Sequence, residues 1–165
     1  MPSDVVCFEL ADVAATEAFG EWVGRHLRPG QGLALTGELG AGKTSLVRGL
    51  ARGLRVDDPA AVCSPTYLLV VEHPGPRPML HLDAYFRDRS RSFLLDGGLD
   101  YLTEFQGVVV IEWADRLVDL VPEESLWVEL LASGRPRGGR DVIMEGQPPE
   151  AFPWIGEIPQ TFPIP

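Results

Sequence analysis

The residues best suited to chemistry are a glycine-rich run that contains the only lysine of the chain. Residues 37–44 read Gly-Glu-Leu-Gly-Ala-Gly-Lys-Thr and fit G-x-x-x-x-G-K-[ST], the phosphate-binding loop of nucleoside-triphosphate enzymes. A lysine ammonium is a slender point charge that reaches between two phosphates, and a forked guanidinium does not replace it there. The run therefore predicts a triphosphate site in which Lys43 contacts the β- and γ-phosphates and Thr44 binds Mg²⁺.

The segments on either side of this loop have the patterns needed to position it. Residues 32–36 form a compact apolar run, as expected of a strand that is buried on both faces. Residues 43–54 place apolar side chains at helical spacing. The N–H groups of a loop between strand and helix form an anion-binding concavity, and the helix N-terminus adds a partial positive charge. This context turns a motif match into a predicted binding mechanism.

Two acids are candidates for the opposite side of the phosphates. Enzymes with such a loop use acids to hold the metal and to orient the attacking group, commonly at the carboxyl ends of neighbouring strands. Asp83 follows the apolar run 79–82, and Glu112 follows the apolar run 108–111. We predict that both acids are catalytic. The alternative for each is a solvated residue at a strand boundary.

Several other polar or aromatic residues have two interpretations. Ser64 and Thr66 flank a proline ahead of a strand, where hydroxyls can contact a γ-phosphate or its metal, or can merely end a loop. His81 alternates with leucines and is more typical of a packed core residue than of a catalyst. Trp113, beside Glu112, is a core residue, a partner contact or a lid over the nucleotide.

Composition narrows the class of protein. The chain has 165 residues, enough for one domain with a substantial core, and no apolar run long enough to span a bilayer. Its formal net charge is −10, the opposite of the basic footprint of a protein that grips nucleic acid directly. Its first residues have neither the basic start nor the apolar core of a signal peptide, so we expect none; Cys7 and Cys63 have neither metal-type nor disulfide spacing. We expect a cytoplasmic protein with two buried or half-buried thiols, away from membranes.

The C-terminal segment differs from the rest of the chain. Residues 126–131 and 141–144 indicate a terminal β-hairpin, and residues 113–121 indicate a helix. Residues 147–165 are rich in proline and hold neither a helix nor a central strand. We therefore predict a domain over residues 1–146 and a proline-rich tail over 147–165. We favour a loosely ordered tail; the alternative is that its apolar side chains lie against the body or a partner.

Four segments, taken together, resemble the TsaE (YjeE) family of small bacterial P-loop ATPases. They are the glycine-rich run, Ser-Pro-Thr-Tyr at 64–67, His-Leu-Asp-Ala-Tyr at 81–85 and Ile-Glu-Trp at 111–113. The resemblance extends from about residue 8 to about residue 131. Only the glycine-rich run is specific by itself, but four such segments in this order and in so short a chain are highly specific.

The resemblance implies a fold and an activity. The fold would be α/β, a P-loop NTPase fold with a mixed, mostly parallel central sheet flanked by helices and a terminal β-hairpin. The activity would be weak Mg²⁺-dependent ATP hydrolysis together with the proteins TsaB and TsaD. Those partners carry out threonylcarbamoyl transfer to adenosine 37 of tRNAs that read ANN codons, so this chain would meet tRNA only through them.

The resemblance also assigns residues to roles. Thr44 and Glu112 would hold Mg²⁺, Asp83 would act near the γ-phosphate, and Ser64 with Thr66 would form a nucleotide-sensing loop. The residues expected to contact ATP are Gly37, Glu38, Leu39, Gly40, Ala41, Gly42, Lys43, Thr44, Ser45, Thr66 and Trp113.

The chain departs from the family pattern in two places: the proline-rich tail after Gln147 has no counterpart there, and the residues after Tyr85 differ. Two other functions compete with the ATPase. The family reads arginine directly after Tyr85, whereas this chain has Phe86 there and Arg87 one residue later. A small-molecule P-loop kinase is the main alternative and needs a mobile arginine lid, which only residues 87–91 offer; otherwise those arginines form a solvated face. A non-catalytic, nucleotide-gated interaction module is another. A GTPase is disfavoured, because the chain has no Asn-Lys-x-Asp guanine signature.

Overall fold

The sheet of this protein has seven strands in the part of the chain that the computed structural model describes, residues 5–66 and 68–162. The strand order is β1-β7-β6-β2-β5-β4-β3. In chain order the strands are β1 (Val6–Leu10), β2 (Gly32–Thr36), β3 (Val70–His73), β4 (Met79–Asp83), β5 (Val108–Glu112), β6 (Ser125–Ala132) and β7 (Arg140–Gln147). The α-helices are α1 (Val13–His26), α2 (Lys43–Leu54), α3 (Arg87–Phe93) and α4 (Leu99–Glu104).

The centre of the sheet is parallel and its margins are antiparallel. Strand β2 pairs in parallel with both β5 and β6, and β4 pairs in parallel with β5. Strands β3, β7 and β1 complete the sheet through antiparallel pairs, and β6 with β7 forms the C-terminal hairpin. This arrangement confirms the predicted α/β, P-loop NTPase fold with a mixed central sheet and a terminal β-hairpin.

The register of the parallel strands places the predicted acids at one edge. Asp83 at the end of β4 lies opposite Glu112 at the end of β5, and Glu112 lies opposite Leu35 of β2. All five residues of β5 are buried, as a strand covered on both faces requires. Because β2 leads directly into the glycine-rich run, the acids and the loop share the carboxyl edge of the sheet.

Helices α1 and α2 pack unusually closely, because glycines line their contact. An ideal Cβ on Gly49 of α2 would lie 1.9 Å from the carbonyl oxygen of Glu17 in α1. A Cβ on Gly20 of α1 would lie 2.1 Å from the carbonyl oxygen of Leu46 in α2. Any larger residue at either position would push the helices apart, so the glycines fix where α2 sits against α1.

The C-terminal segment lies against α1, so the expectation of a loosely ordered tail is wrong for residues 147–162. Phe152 is 2% exposed and Phe162 is 8% exposed, and both belong to the main hydrophobic core. The ring of Phe162 lies 5.6 Å from that of Phe19, and Trp154 lies 5.3 Å from Trp22. Proline prevents this segment from joining the sheet, but its aromatic side chains still bury apolar surface on α1.

The predicted helix over residues 113–121 is also wrong. The chain forms two short 3₁₀ turns instead, Ala114–Arg116 and Val118–Leu120. Trp113 has a left-handed backbone with φ of 59°, and Leu117 leaves helical geometry with φ of −135°. Within the described residues, no helix is long and apolar enough to cross a bilayer.

Candidate active site

A cavity of about 610 Å³ opens at the carboxyl edge of the parallel strands. The glycine-rich run after β2 forms one wall, and the lining also includes Glu112 at the end of β5 and Tyr85 just after β4. Gly37, Gly40 and Gly42 have φ of 142°, 79° and 100°. These left-handed values are costly for residues with a Cβ, so glycine allows the run to turn tightly. Helix α2 begins directly after it with no side-chain cap, as at anion-binding helix N-termini.

Lys43 lies almost entirely inside the protein at the first position of α2. Its side chain is folded along the loop, and Nζ donates hydrogen bonds to the carbonyl oxygens of Gly37 at 2.6 Å and Glu38 at 2.9 Å. Nζ also lies 4.1 Å from the ring centroid of Trp113. Burial lowers the pKa of the Lys43 ammonium, and nearby carboxylates, chiefly Glu112, partly oppose that shift. The cation therefore has acceptors on the loop and a carboxylate across the cavity.

Thr44, Glu112 and His81 form one hydrogen-bonded group. The Thr44 hydroxyl donates to Glu112 Oε1 at 3.1 Å, and His81 Nε2 lies 2.8 Å from the same oxygen. His81 is fully buried, and its other ring nitrogen, Nδ1, has no hydrogen-bond partner among the described residues. His81 was interpreted from sequence as a core residue. The structure shows that it is a core residue that also contacts the predicted catalytic acid.

Asp83 lies behind two hydroxyl groups rather than on the cavity wall. Its Oδ2 accepts hydrogen bonds from Ser64 Oγ at 3.0 Å and Thr66 Oγ1 at 2.9 Å, and these hydroxyls line the cavity. Its Oδ1 accepts the backbone N–H of Tyr85 at 2.8 Å. Asp83 is 1% exposed. The acid therefore holds the 64–66 loop against the sheet edge and reaches the cavity through that loop.

An aromatic and cationic stack closes one side of the cavity. Tyr85 and Trp113 meet edge to face with ring centroids 5.2 Å apart. The guanidinium of Arg116 lies 4.6 Å from the Trp113 ring and 5.0 Å from the Tyr85 ring, and it donates to the carbonyl of Tyr85. These contacts hold the Trp113 ring at the cavity in spite of its left-handed backbone.

The structure brings most of the predicted site residues together, and their roles stay predictions. Gly37, Glu38 and Ala41 are not among the lining residues, but their carbonyls accept hydrogen bonds from Lys43 or Arg140. The predicted residues that line the cavity are Leu39, Gly40, Gly42, Lys43, Thr44, Ser45, Thr66, Glu112 and Trp113.

The arginines at 87–91 are not among the residues that line this cavity. Arg91 pairs with Asp119 at 3.0 Å on the surface. Arg87 and Arg89 border a separate, exposed depression. Among the described residues, the 87–91 stretch that the kinase alternative requires as a lid therefore does not line the predicted phosphate site.

Sequence reasoning missed Arg140, which lines the cavity from the C-terminal hairpin. It donates through Nη2 to the carbonyl of Gly40 at 2.9 Å and through Nε to the carbonyl of Ala41. One hundred positions separate Arg140 from Gly40. No local motif connects residues so far apart, so only the sheet order could have revealed the contact.

Comparison with known proteins agrees with this geometry. The family of threonylcarbamoyl adenosine biosynthesis protein TsaE matches residues 10–141. The tRNA threonylcarbamoyladenosine biosynthesis protein TsaE of Bacillus subtilis is 36% identical over 121 residues, covering 72% of this chain and 73% of that protein. Its counterpart in Treponema pallidum is 37% identical over 121 residues, covering 72% of this chain and 87% of that protein.

Solved structures give the same result. The crystal structure of Bacillus subtilis YdiB superposes with a TM-score of 0.75 and 25% sequence identity, and the match covers 95% of each chain. The resemblance identified from four short segments is therefore confirmed over most of the chain. On this sequence and structural similarity, the chain belongs to the TsaE family of tRNA threonylcarbamoyladenosine biosynthesis proteins.

Proposed function

We propose that this protein is the subunit of the tRNA threonylcarbamoyladenosine pathway that binds and hydrolyses ATP. It would be a weak, Mg²⁺-dependent ATPase that acts with TsaB and TsaD on adenosine 37 of tRNAs reading ANN codons. Family membership supports the pathway. The cavity beside the glycine-rich run supports the proposal that the protein binds a nucleotide.

The contact between Thr44 and Glu112 is the observation on which the proposal mainly depends. A hydroxyl at the start of α2 lies 3.1 Å from a carboxylate at the end of β5, with the Lys43 ammonium beside them. Hydroxyl and carboxylate oxygens suit Mg²⁺, which uses few protein ligands and completes its shell with phosphate and water.

The side chains suggest how hydrolysis would be supported. Loop amides and Lys43 would bind the terminal phosphates, and Mg²⁺ held by Thr44 and Glu112 would neutralise part of their charge. The hydrogen bond from His81 would keep the Glu112 carboxylate oriented toward Thr44. Ser64 and Thr66, anchored by Asp83, would place two hydroxyls opposite the loop.

The charge of the protein supports an indirect relation to tRNA. A net charge of −10 repels a phosphate backbone, but it favours docking to basic surfaces of partner proteins. We therefore propose that TsaB and TsaD hold the tRNA, and that ATP binding to this subunit changes its association with them. Co-elution of the three proteins only when ATP is supplied is the expected result of size-exclusion chromatography.

Binding and turnover test the proposal separately. Calorimetry should detect MgATP binding to the wild-type protein and an affinity about 10-fold or more weaker for Lys43→Ala, because a charge-assisted contact to phosphate is lost. Glu112→Ala and Asp83→Ala should still bind but should turn over ATP on the order of 100-fold more slowly. Full turnover in either variant would reject the catalytic role of that acid. Transfer of phosphate to an added metabolite would instead support the kinase alternative.

A further inference from the structure

Arg140 connects the C-terminal hairpin to the phosphate-binding loop. It is the first residue of β7, and it pairs with Leu10 of β1 and Ala132 of β6. This backbone pairing on both sides holds its Cα in the sheet. The side chain extends from there along the cavity wall to the carbonyls of Gly40 and Ala41.

Nearly all of the hydrogen-bond donors of the Arg140 guanidinium have an acceptor. A guanidinium has five N–H groups in a planar fork. Nε and Nη2 donate to the loop carbonyls of Ala41 and Gly40, and Nη1 donates to Gly138 and Gly139 at 2.8 Å each. Four backbone carbonyls are thus bound by one side chain, which leaves one N–H of Nη2 for the cavity. These hydrogen bonds hold the glycine-rich loop and the turn between β6 and β7 in fixed positions relative to each other.

These bonds orient peptide groups of the phosphate-binding loop. In a trans peptide the C=O and the following N–H point in opposite directions. Because Arg140 binds the carbonyl of Ala41, the N–H of Gly42 points away from the guanidinium. The carbonyl of Gly40 is fixed in the same way, and the N–H of Ala41 donates to Glu38 at 3.0 Å. The loop conformation therefore depends on a residue 99 positions away from Ala41.

We infer that Arg140 is a positioning residue for ATP binding: it holds the glycine-rich loop in its phosphate-binding conformation and adds a positive charge beside it. This inference rests on the proposed ATP-binding function. Lysine would not replace arginine here, because an ammonium is a point donor and lacks the planar fork that spans two successive carbonyls. Neither the family match nor the sequence motifs assign this residue a role.

Two substitutions separate the fork from the charge. Arg140→Ala removes both, and Arg140→Lys keeps the charge. The matched control is Arg137→Ala, which removes the same charge from an exposed position of the same hairpin loop. We expect the dissociation constant of MgATP, measured by calorimetry, to rise about 10-fold or more for both Arg140 variants and to change less than about 2-fold for the control. If Arg140→Ala does not fold, the affinity of Arg140→Lys alone decides the test.

Steady-state kinetics distinguish positioning from general loss of structure. KM for ATP should rise about 10-fold in Arg140→Lys, whereas kcat at saturating ATP should stay within a few-fold of wild type, because Thr44 and Glu112 are untouched. Wild-type affinity in either Arg140 variant would overturn the inference, and so would a fall in kcat with unchanged KM. If the wild-type protein itself fails to bind MgATP, the proposed function is rejected and the inference falls with it. Tight wild-type binding with unaffected variants rejects the inference alone.

Discussion

The glycine contact between α1 and α2 gives a sharp prediction about stability. Gly49 is in the middle of α2, where alanine would ordinarily stabilise a helix by about 0.5–1 kcal/mol. Here the added Cβ would lie 1.9 Å from the carbonyl oxygen of Glu17 and 2.7 Å from its carbonyl carbon. Carbon and oxygen atoms in contact are normally about 3.3 Å apart. In Gly49→Ala, α1 must therefore move by about 1.4 Å.

That displacement sets the size of the effect. Both atoms in collision are backbone or Cβ, so a change of side-chain rotamer cannot relieve the clash. Overpacking a core typically costs about 1–3 kcal/mol, and a rigid-body shift of α1 would also loosen contacts of Phe19 and Val23, which are fully buried. We expect a net loss of about 2 kcal/mol or more in the free energy of unfolding. For a domain of this size the loss corresponds to a fall in Tm of about 4–8 °C.

Urea unfolding followed by circular dichroism tests this prediction, with Gly156→Ala as the control. An added Cβ on Gly156 has nothing within 4 Å, so its stability should change by less than about 0.5 kcal/mol. A Gly49→Ala protein as stable as the wild type, or more stable, would refute the steric reasoning.

Two further predictions concern the tail and a buried histidine. Phe152→Ala should lower the free energy of unfolding by about 3–5 kcal/mol, because the ring is 2% exposed in the main core. Unchanged urea stability would contradict the burial of Phe152 in the main core. Burial, followed by the charge of His81, lowers the pKa of His73 below its usual 6.5. In acid, His73 is therefore protonated more readily in the unfolded chain than in the folded protein. Its contribution to the free energy of unfolding is fully present above about pH 6.5 and is lost as the pH falls below that value. His73→Phe should flatten that decline in urea titrations between about pH 5 and 7, and an unchanged slope would argue against the shifted pKa.

The parts of the fold that local patterns determine could be predicted from sequence. The apolar runs at 32–36, 79–82 and 108–111 all form strands, and the second and third strands extend by one residue to include the acid that follows each run. The helix at 43–54 also has its predicted bounds, since the glycine-rich loop sets its start. Asp83 and Glu112 could be predicted as site residues because each stands at the end of one of these strands.

Features that depend on distant contacts could not be predicted. Arg140 and His81 gain their significance from partners on other strands, to which no spacing along the chain points. Both thiols are exposed, although Cys7 and Cys63 were expected to be at least half-buried. In β1 burial alternates, so that Cys7 faces outward between more buried Val6 and Phe8. Composition alone does not indicate which face of an edge strand is covered.

The sheet order has a consequence for how the protein forms during synthesis. Within the described chain, β1 pairs with β7 alone, although it is made about 130 residues earlier. Until the last segments leave the ribosome, the first strand has no neighbour and the aromatic face of α1 around Trp22 has no cover. The parallel core of β2, β4, β5 and β6 can be complete before then. Nascent chains truncated before β7 should therefore bind chaperones that recognise exposed apolar surface. Chains long enough to pair β1 with β7 and to cover α1 should no longer bind them.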